Sequence, residues 1–269
     1  MSGAAPVPHA PGIHVGRFGA PGGRTLLLLH GGGVGGWMWE PLRRHLDPGL
    51  RLIVPDLPGH DRSAGLPYVS HERTAAALAA IVERKAAGPV AVVGFSLGAQ
   101  LTVALAASRP DLVERAAVIS AQAIPTRGAG ATSALLAAAA PLARKRWFAR
   151  LQARQLFVPD ELLDDYLRAS ARISRRTLVS AVGDNIRFTV PSGWRAFSGP
   201  ALILAGERER AVMIRSARLL HVELDGSELD GRELDGRELE IVPGCGHGIP
   251  LQRPGWLARR LEGWLDTAR

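Results

Sequence analysis

Short apolar runs recur along the chain, separated by longer stretches in which apolar residues return every three or four positions. The short runs are Ile13 to Phe18, Leu26 to Leu29, Leu52 to Val54, Val90 to Val93, Ala117 to Ser120, Ala201 to Leu204 and Leu239 to Val242. Most are continuously apolar and bounded by Gly or Pro. They lack the alternation of a half-solvated strand, and this predicts strands buried on both faces of a parallel sheet. Helical periodicity covers Thr74 to Ala86, Leu97 to Ala107, Ala211 to Leu220 and Trp256 to Thr267. Strands alternating with helices predict an α/β fold with a doubly wound, mostly parallel sheet and right-handed crossovers. In such folds ligands gather beyond the C-terminal ends of the strands.

One interval breaks the rhythm. Between Ile124 and Phe197 no strand is legible. Helical runs at Ser133 to Ala140, Leu142 to Leu156, Asp160 to Ala169 and Ser174 to Asn185 are punctuated by Pro125, Pro141, Pro159 and Pro191. This predicts a helical cap (124–197) inserted between two parts of a core (1–123 and 198–269). A tandem pentapeptide, ELDGS-ELDGR-ELDGR-ELE, occupies 223–240. Its period fits neither helix nor strand, and its Gly residues interrupt both, so an expanded surface loop is expected. Lengthening a loop by two such units costs on the order of 1 kcal/mol. The spacing lacks the Asp alternation of a calcium site.

Composition narrows the class. The 269 residues are 46% apolar, enough for a sizeable core, and no apolar stretch approaches the ~18 residues that span a membrane. The first residues have no charged start followed by an apolar segment, so no signal peptide is expected. A single cysteine, Cys245, rules out an internal disulfide and fits a reducing compartment, with the cytoplasm as the expectation. The net charge of +8 invites a nucleic-acid or membrane partner. However, the basic residues are spread along the chain and nearly all are arginine, with only Lys85 and Lys145 as lysines. The local cluster of Arg144, Lys145, Arg146, Arg150 and Arg154 reads as a solvated helix face. A small-molecule substrate is expected, with neither nucleic acid nor membrane as partner, and with the chain a monomer or homodimer.

The candidate chemistry begins at Gly94-Phe95-Ser96-Leu97-Gly98, directly after the run Val90 to Val93. A G-x-S-x-G turn between strand and helix forces the serine into a strained elbow with its hydroxyl at the sheet edge. A serine needs a base, and imidazole is suited to the task near neutral pH. His247 follows the last strand on a glycine-rich loop, Pro243-Gly244-Cys245-Gly246-His247-Gly248, and has no packing reason to stand there. His9, His14, His45, His71 and His221 are expected at the surface. The base needs an acid ending another strand. The run Ala117 to Ser120 offers none, whereas Ala201 to Leu204 leads into Gly206-Glu207-Arg208-Glu209, making Glu209 or Glu207 the candidate. After Leu26 to Leu29 comes His30-Gly31-Gly32-Gly33-Val34-Gly35-Gly36, whose glycines let backbone N–H groups approach a developing oxyanion. No Gly-Lys-Ser/Thr follows it, so a nucleotide site is not supported.

In order and content these pieces resemble the α/β-hydrolase family over nearly the whole chain. They are the HGGG-like turn at His30 to Gly33, the run Asp56-Leu57-Pro58-Gly59-His60-Asp61-Arg62-Ser63, the elbow at Ser96, a helical cap, Gly206-x-x-Glu209 and Gly246-His247. The resemblance implies the α/β-hydrolase fold and a catalytic triad of Ser96, Glu209 and His247. It also implies oxyanion donation from the Gly32 and Leu97 N–H groups, with no cofactor and no metal. A glutamate stands where the family mostly has aspartate. Glu209 and His247 are 38 residues apart. Without the two surplus pentapeptides the gap is close to the family's spacing, which favours Glu209 over Glu207. Gly33 within the Gly-rich turn, and Trp37 and Met38 after it, are candidates for the substrate pocket.

The expected activity is cleavage of a carboxylic ester or lactone of a small to medium apolar substrate through an acyl-enzyme. Thioesterase, C–C bond hydrolase and cofactor-free lyase activities use the same triad on this fold. A catalytically silent binding module would need a degraded triad, and only the acid here is unusual.

Overall fold

The computed structural model describes residues 12–126, 128, 130, 145–225 and 236–267. Seven strands form one sheet: β1 (Val15–Gly19), β2 (Thr25–Leu29), β3 (Arg51–Pro55), β4 (Val90–Phe95), β5 (Val113–Ile119), β6 (Ala201–Gly206) and β7 (Arg237–Val242). They lie in the order β1-β3-β2-β4-β5-β6-β7. β1 is antiparallel to β3 and every other pairing is parallel. All six residues of β4 and of β6 are buried, as both-face coverage by helices demands.

The chain winds outward in one direction from β2 to β3 and in the other from β4 onward. The reversal falls between β2 and β4, so the loops leaving these two adjacent strands diverge and leave a crevice at their C-terminal ends. Those two loops carry Gly31 to Gly33 and Ser96.

Among the described residues the helices are α1 (Glu40–Arg43), α2 (His71–Lys85), α3 (Leu97–Ser108), α4 (Arg146–Gln155), α5 (Leu163–Arg172), α6 (Arg175–Arg187), α7 (Ala211–Asp225), α8 (Ile249–Gln252) and α9 (Pro254–Leu265). Two cores flank the sheet. One packs α2, α3 and α7 on one face, around Leu78, Leu101 and Leu220. The other packs α1 and α9 on the opposite face, around Met38, Trp39 and Trp264. Side chains set the helix starts. Ser70 accepts the Arg73 N–H at 3.1 Å ahead of α2, and Ser174 accepts the Thr177 N–H at 3.0 Å ahead of α6.

Several boundaries differ from the sequence reading. β5 begins at Val113, four residues early, because the charged Arg115 masks the strand. Arg115 is nonetheless buried, its guanidinium donating to Trp264 O and Thr267 Oγ1 at 3.0 Å each. β7 begins at Arg237 rather than Leu239, since this edge strand is charged and half-buried. The pentapeptide stretch is not wholly a loop. Its start, 223–225, ends α7, and 237–240 belongs to β7, while 226–235 lies outside the described residues. The helical run expected at Ser133 to Ala140 also lies outside them. No helix among the described residues is long and apolar enough to cross a membrane.

Candidate active site

The turn after β4 is built by sterics. A Cβ on Gly94 would stand 2.2 Å from Gly98 O, and one on Gly98 would stand 2.1 Å from Leu29 O. Only glycine at both positions lets β2, β4 and α3 cross so closely. Ser96 between them is held at φ 54° and ψ −112°, a conformation costly for a non-glycine residue. Its N–H is fixed to Ile119 O at 2.9 Å, so the strain is supported by the sheet itself. Leu97 heads α3, where its N–H has no intrahelical acceptor. Gly32 lies against the Leu97 side chain, with its Cβ direction 3.8 Å from Leu97 Cβ. The Gly-rich turn after β2 and the start of α3 therefore lie against each other beside the serine.

Three side chains converge from three loops. His247 Nε2 lies 3.0 Å from Ser96 Oγ, and His247 Nδ1 lies 3.0 Å from Glu209 Oε2. The imidazole also packs on the Phe95 ring at 5.1 Å between centroids. The Glu209 side chain is only 1% exposed, whereas His247 keeps 33% of its surface open. Burial raises the Glu209 carboxyl. Hydrogen bonds and attraction from His247, with those from Ser120 Oγ and Gly206 N–H, outweigh burial and hold it below the ordinary carboxylate value. Glu207, the rival acid, is elsewhere: its carboxylate accepts the Gly244 N–H at 2.8 Å on the exposed side of the loop.

Ser120 is the participant that sequence reasoning passed over. It directly follows β5 at φ 57° and its hydroxyl donates to Glu209 Oε1 at 2.5 Å. A serine after an apolar run offers no signal beyond its position at the sheet edge. The Gly-rich turn is braced in the same way. Asp56 is buried and accepts the Gly36 N–H at 2.7 Å and Arg62 Nε at 2.6 Å. His30 is buried beneath that turn, its Nε2 accepting the Leu57 N–H at 2.9 Å and its Nδ1 donating to Gly31 O at 2.7 Å. This pattern assigns a neutral tautomer. Desolvation lowers the pKa of His30, and that of His60 to about 3.

A cavity of about 830 Å³ opens over Ser96. Gly32, Gly33, Leu97, Glu209 and His247 line it, as do Leu156, Phe157, Ile173 and Leu178 from the helical segment between β5 and β6. Trp37 and Met38 do not, contrary to expectation. The 3-10 turn Gly36–Trp39 carries Met38 into the core beneath the sheet. Trp37 turns edge-on to Tyr166 and lines a separate cavity of about 350 Å³. His71 is also misjudged as a surface residue. It is buried, stacked on Phe188, with Nε2 2.8 Å from Gln100 Oε1 and Nδ1 2.9 Å from Tyr68 Oη. Among the described residues no cluster of His, Cys, Asp and Glu fit to hold a metal is found.

A model of the α/β-hydrolase family matches residues 26–260, and the chain belongs to that family. It is similar to the lipase LipV of Mycobacterium tuberculosis, with 40% identity over 101 residues, a match that spans only 38% of either chain. It is also similar to the (E)-2-((N-methylformamido)methylene)succinate hydrolase of Acinetobacter baylyi, with 23% identity over 91% of both chains. Among solved structures, the esterase EaEST of Exiguobacterium antarcticum superimposes with a TM-score of 0.78 at 18% identity, covering 95% of this chain and 96% of that one. This structural likeness shows the fold.

Proposed function

We propose that this chain is a serine hydrolase that cleaves a carboxylic ester or lactone through an acyl-enzyme. The observation that carries the reading is the unbroken line Ser96 Oγ, His247, Glu209, with both contacts at 3.0 Å, beneath a cavity of ligand size. In this reading Ser96 Oγ attacks the carbonyl carbon as His247 Nε2 takes its proton. Glu209, acting through Nδ1, fixes the tautomer and offsets the imidazolium charge. The N–H groups of Gly32 and Leu97 receive the oxyanion. His247 then gives its proton to the leaving alcohol, and afterwards deprotonates the water that releases the acid and restores Ser96. The segment between β5 and β6 serves as the cap. Its apolar lining, with Val34 and Met213 from the core, favours an apolar acyl group of small to medium size.

The hydrolase and esterase names among the relatives support an enzyme of this general kind. The bond it cleaves is read from a panel of p-nitrophenyl esters of increasing chain length, lactones and acyl thioesters. Turnover of short to medium esters that is lost in Ser96→Ala is the expected result. Turnover that survives Ser96→Ala refutes the mechanism.

A further inference from the structure

The charge of the cavity is one-sided. Among the described residues, and apart from the Glu209–His247 pair, the only formally charged residues lining it are Arg208 and Arg210. They flank Glu209 on the loop that follows β6, and both are exposed. Among the described residues neither guanidinium has an ion-pair partner. Glu209 cannot serve as one. Its carboxylate is buried and already holds His247, Ser120 Oγ and the Gly206 N–H. The loop is pinned rather than loose, because the Arg208 N–H donates to Cys245 O at 2.8 Å. A third cation stands beside it, with Arg253 Nη2 3.5 Å from the Cβ direction of Gly244, itself a lining residue. Glu207, next to Arg208 in sequence, is exposed, and its carboxylate accepts the Gly244 N–H at 2.8 Å.

A cleft lined by one sign of charge concentrates ligands of the other. The planar guanidinium fork pairs bidentately with the oxygens of a carboxylate or a phosphate, which an ammonium cannot do. The rest of the lining is apolar or neutral. We propose that the substrate carries an anionic group, a carboxylate or a phosphate, remote from the scissile bond, and that Arg208 and Arg210 receive it at the cavity mouth. This specificity rests on the serine-hydrolase reading and adds to it a substrate class, an ester with an apolar body and an anionic end.

The test compares three p-nitrophenyl esters of equal chain length whose acyl chains end in methyl, carboxylate or phosphate. At low ionic strength the wild type is expected to favour one or both anionic esters by about tenfold in kcat/KM, chiefly through KM, the scale of a charge-assisted hydrogen bond. That preference is expected to shrink in high salt. The larger of the two preferences identifies the head group. In Arg208→Gln/Arg210→Gln the ratio of anionic to neutral kcat/KM is expected to fall toward unity, and in Arg208→Lys/Arg210→Lys to be partly retained. A wild-type ratio near unity, or a ratio unchanged in the glutamine double variant, overturns the proposal. Labelling of the wild type by an uncharged fluorophosphonate separates the two readings. An unlabelled enzyme defeats the hydrolase reading, and a labelled enzyme without anion preference defeats only this one.

Discussion

Ser120 donates its hydroxyl hydrogen to Glu209 at 2.5 Å from the end of the neighbouring strand. The contact fixes the carboxylate oxygen that His247 does not use. Glutamate is longer than the aspartate the family mostly carries, and the extra methylene gives the carboxylate more freedom. Ser120 and the Gly206 N–H, which reaches the same oxygen at 3.0 Å, remove that freedom. Ser120→Ala is therefore expected to lower kcat by about tenfold with little change in KM, because a hydrogen bond to a charged group is worth about 1.5–3 kcal/mol. Steady-state kinetics on a p-nitrophenyl ester, with Ser120→Thr as the conservative comparison, checks this. A rise in KM with kcat unchanged would place Ser120 in substrate binding instead.

The two candidate acids separate cleanly. Glu209→Gln keeps the shape but loses the charge that balances the imidazolium, and kcat is expected to fall by about three to four orders of magnitude. Glu207→Gln touches only an exposed loop contact and is expected to stay within about threefold of the wild type. The opposite ranking, measured as kcat on one ester, reverses the assignment.

Glu209 also makes stability depend on pH. Its folded-state pKa lies below the ordinary carboxylate value. The stability it contributes is therefore present above that ordinary value of about 4.5 and is lost as pH falls through the lower folded value. Melting temperatures of wild type and Ser120→Ala are expected to differ most above that ordinary value and to converge as pH falls below it. Curves that diverge on acidification contradict the assigned direction.

Most of this site was legible because its residues are constrained by backbone geometry. Gly94 and Gly98 have no room for a Cβ, and Ser96 between them occupies a turn that few sequences form. His247 stands among glycines where packing has no use for an imidazole. The strand order could not be read, but a buried apolar run before each motif was enough to place all of them at one sheet edge. What escaped were pairings between elements distant in sequence. Arg115 hides a strand because its charge is satisfied by α9, and His71 looks like a surface residue until Gln100, Tyr68 and Phe188 close around it. Trp37 and Met38 follow the Gly-rich turn directly, yet the short 3-10 turn they form buries Met38 in the core and sends Trp37 to the second cavity.

The elbow glycines and the loop glycine differ in what they require. Gly98→Ala drives a Cβ against Leu29 O and is expected to cost about 3 kcal/mol or more, lowering the melting temperature by roughly 6–12 °C or preventing folding. Gly33 has open space but a φ of +82°, so Gly33→Ala is expected to cost only about 1–2 kcal/mol. Thermal denaturation of the two variants checks the order.

Gln100 ties the core to the helical segment over the cavity. It accepts from Asn185 Nδ2 at 2.9 Å, donates to Gln122 O at 2.6 Å and meets His71 Nε2 at 2.8 Å. Gln100→Met keeps the volume but strands these buried groups, at an expected cost of about 2–4 kcal/mol. Denaturant unfolding measures it, and a midpoint equal to the wild type contradicts the role.

The most direct test of the central claim is site-resolved labelling. The folded wild type is incubated with a fluorophosphonate and the adduct is located by peptide mass spectrometry. One adduct is expected, on Ser96, absent in Ser96→Ala and strongly slowed in His247→Ala. A folded wild type that is not labelled, or one labelled at another residue, contradicts it.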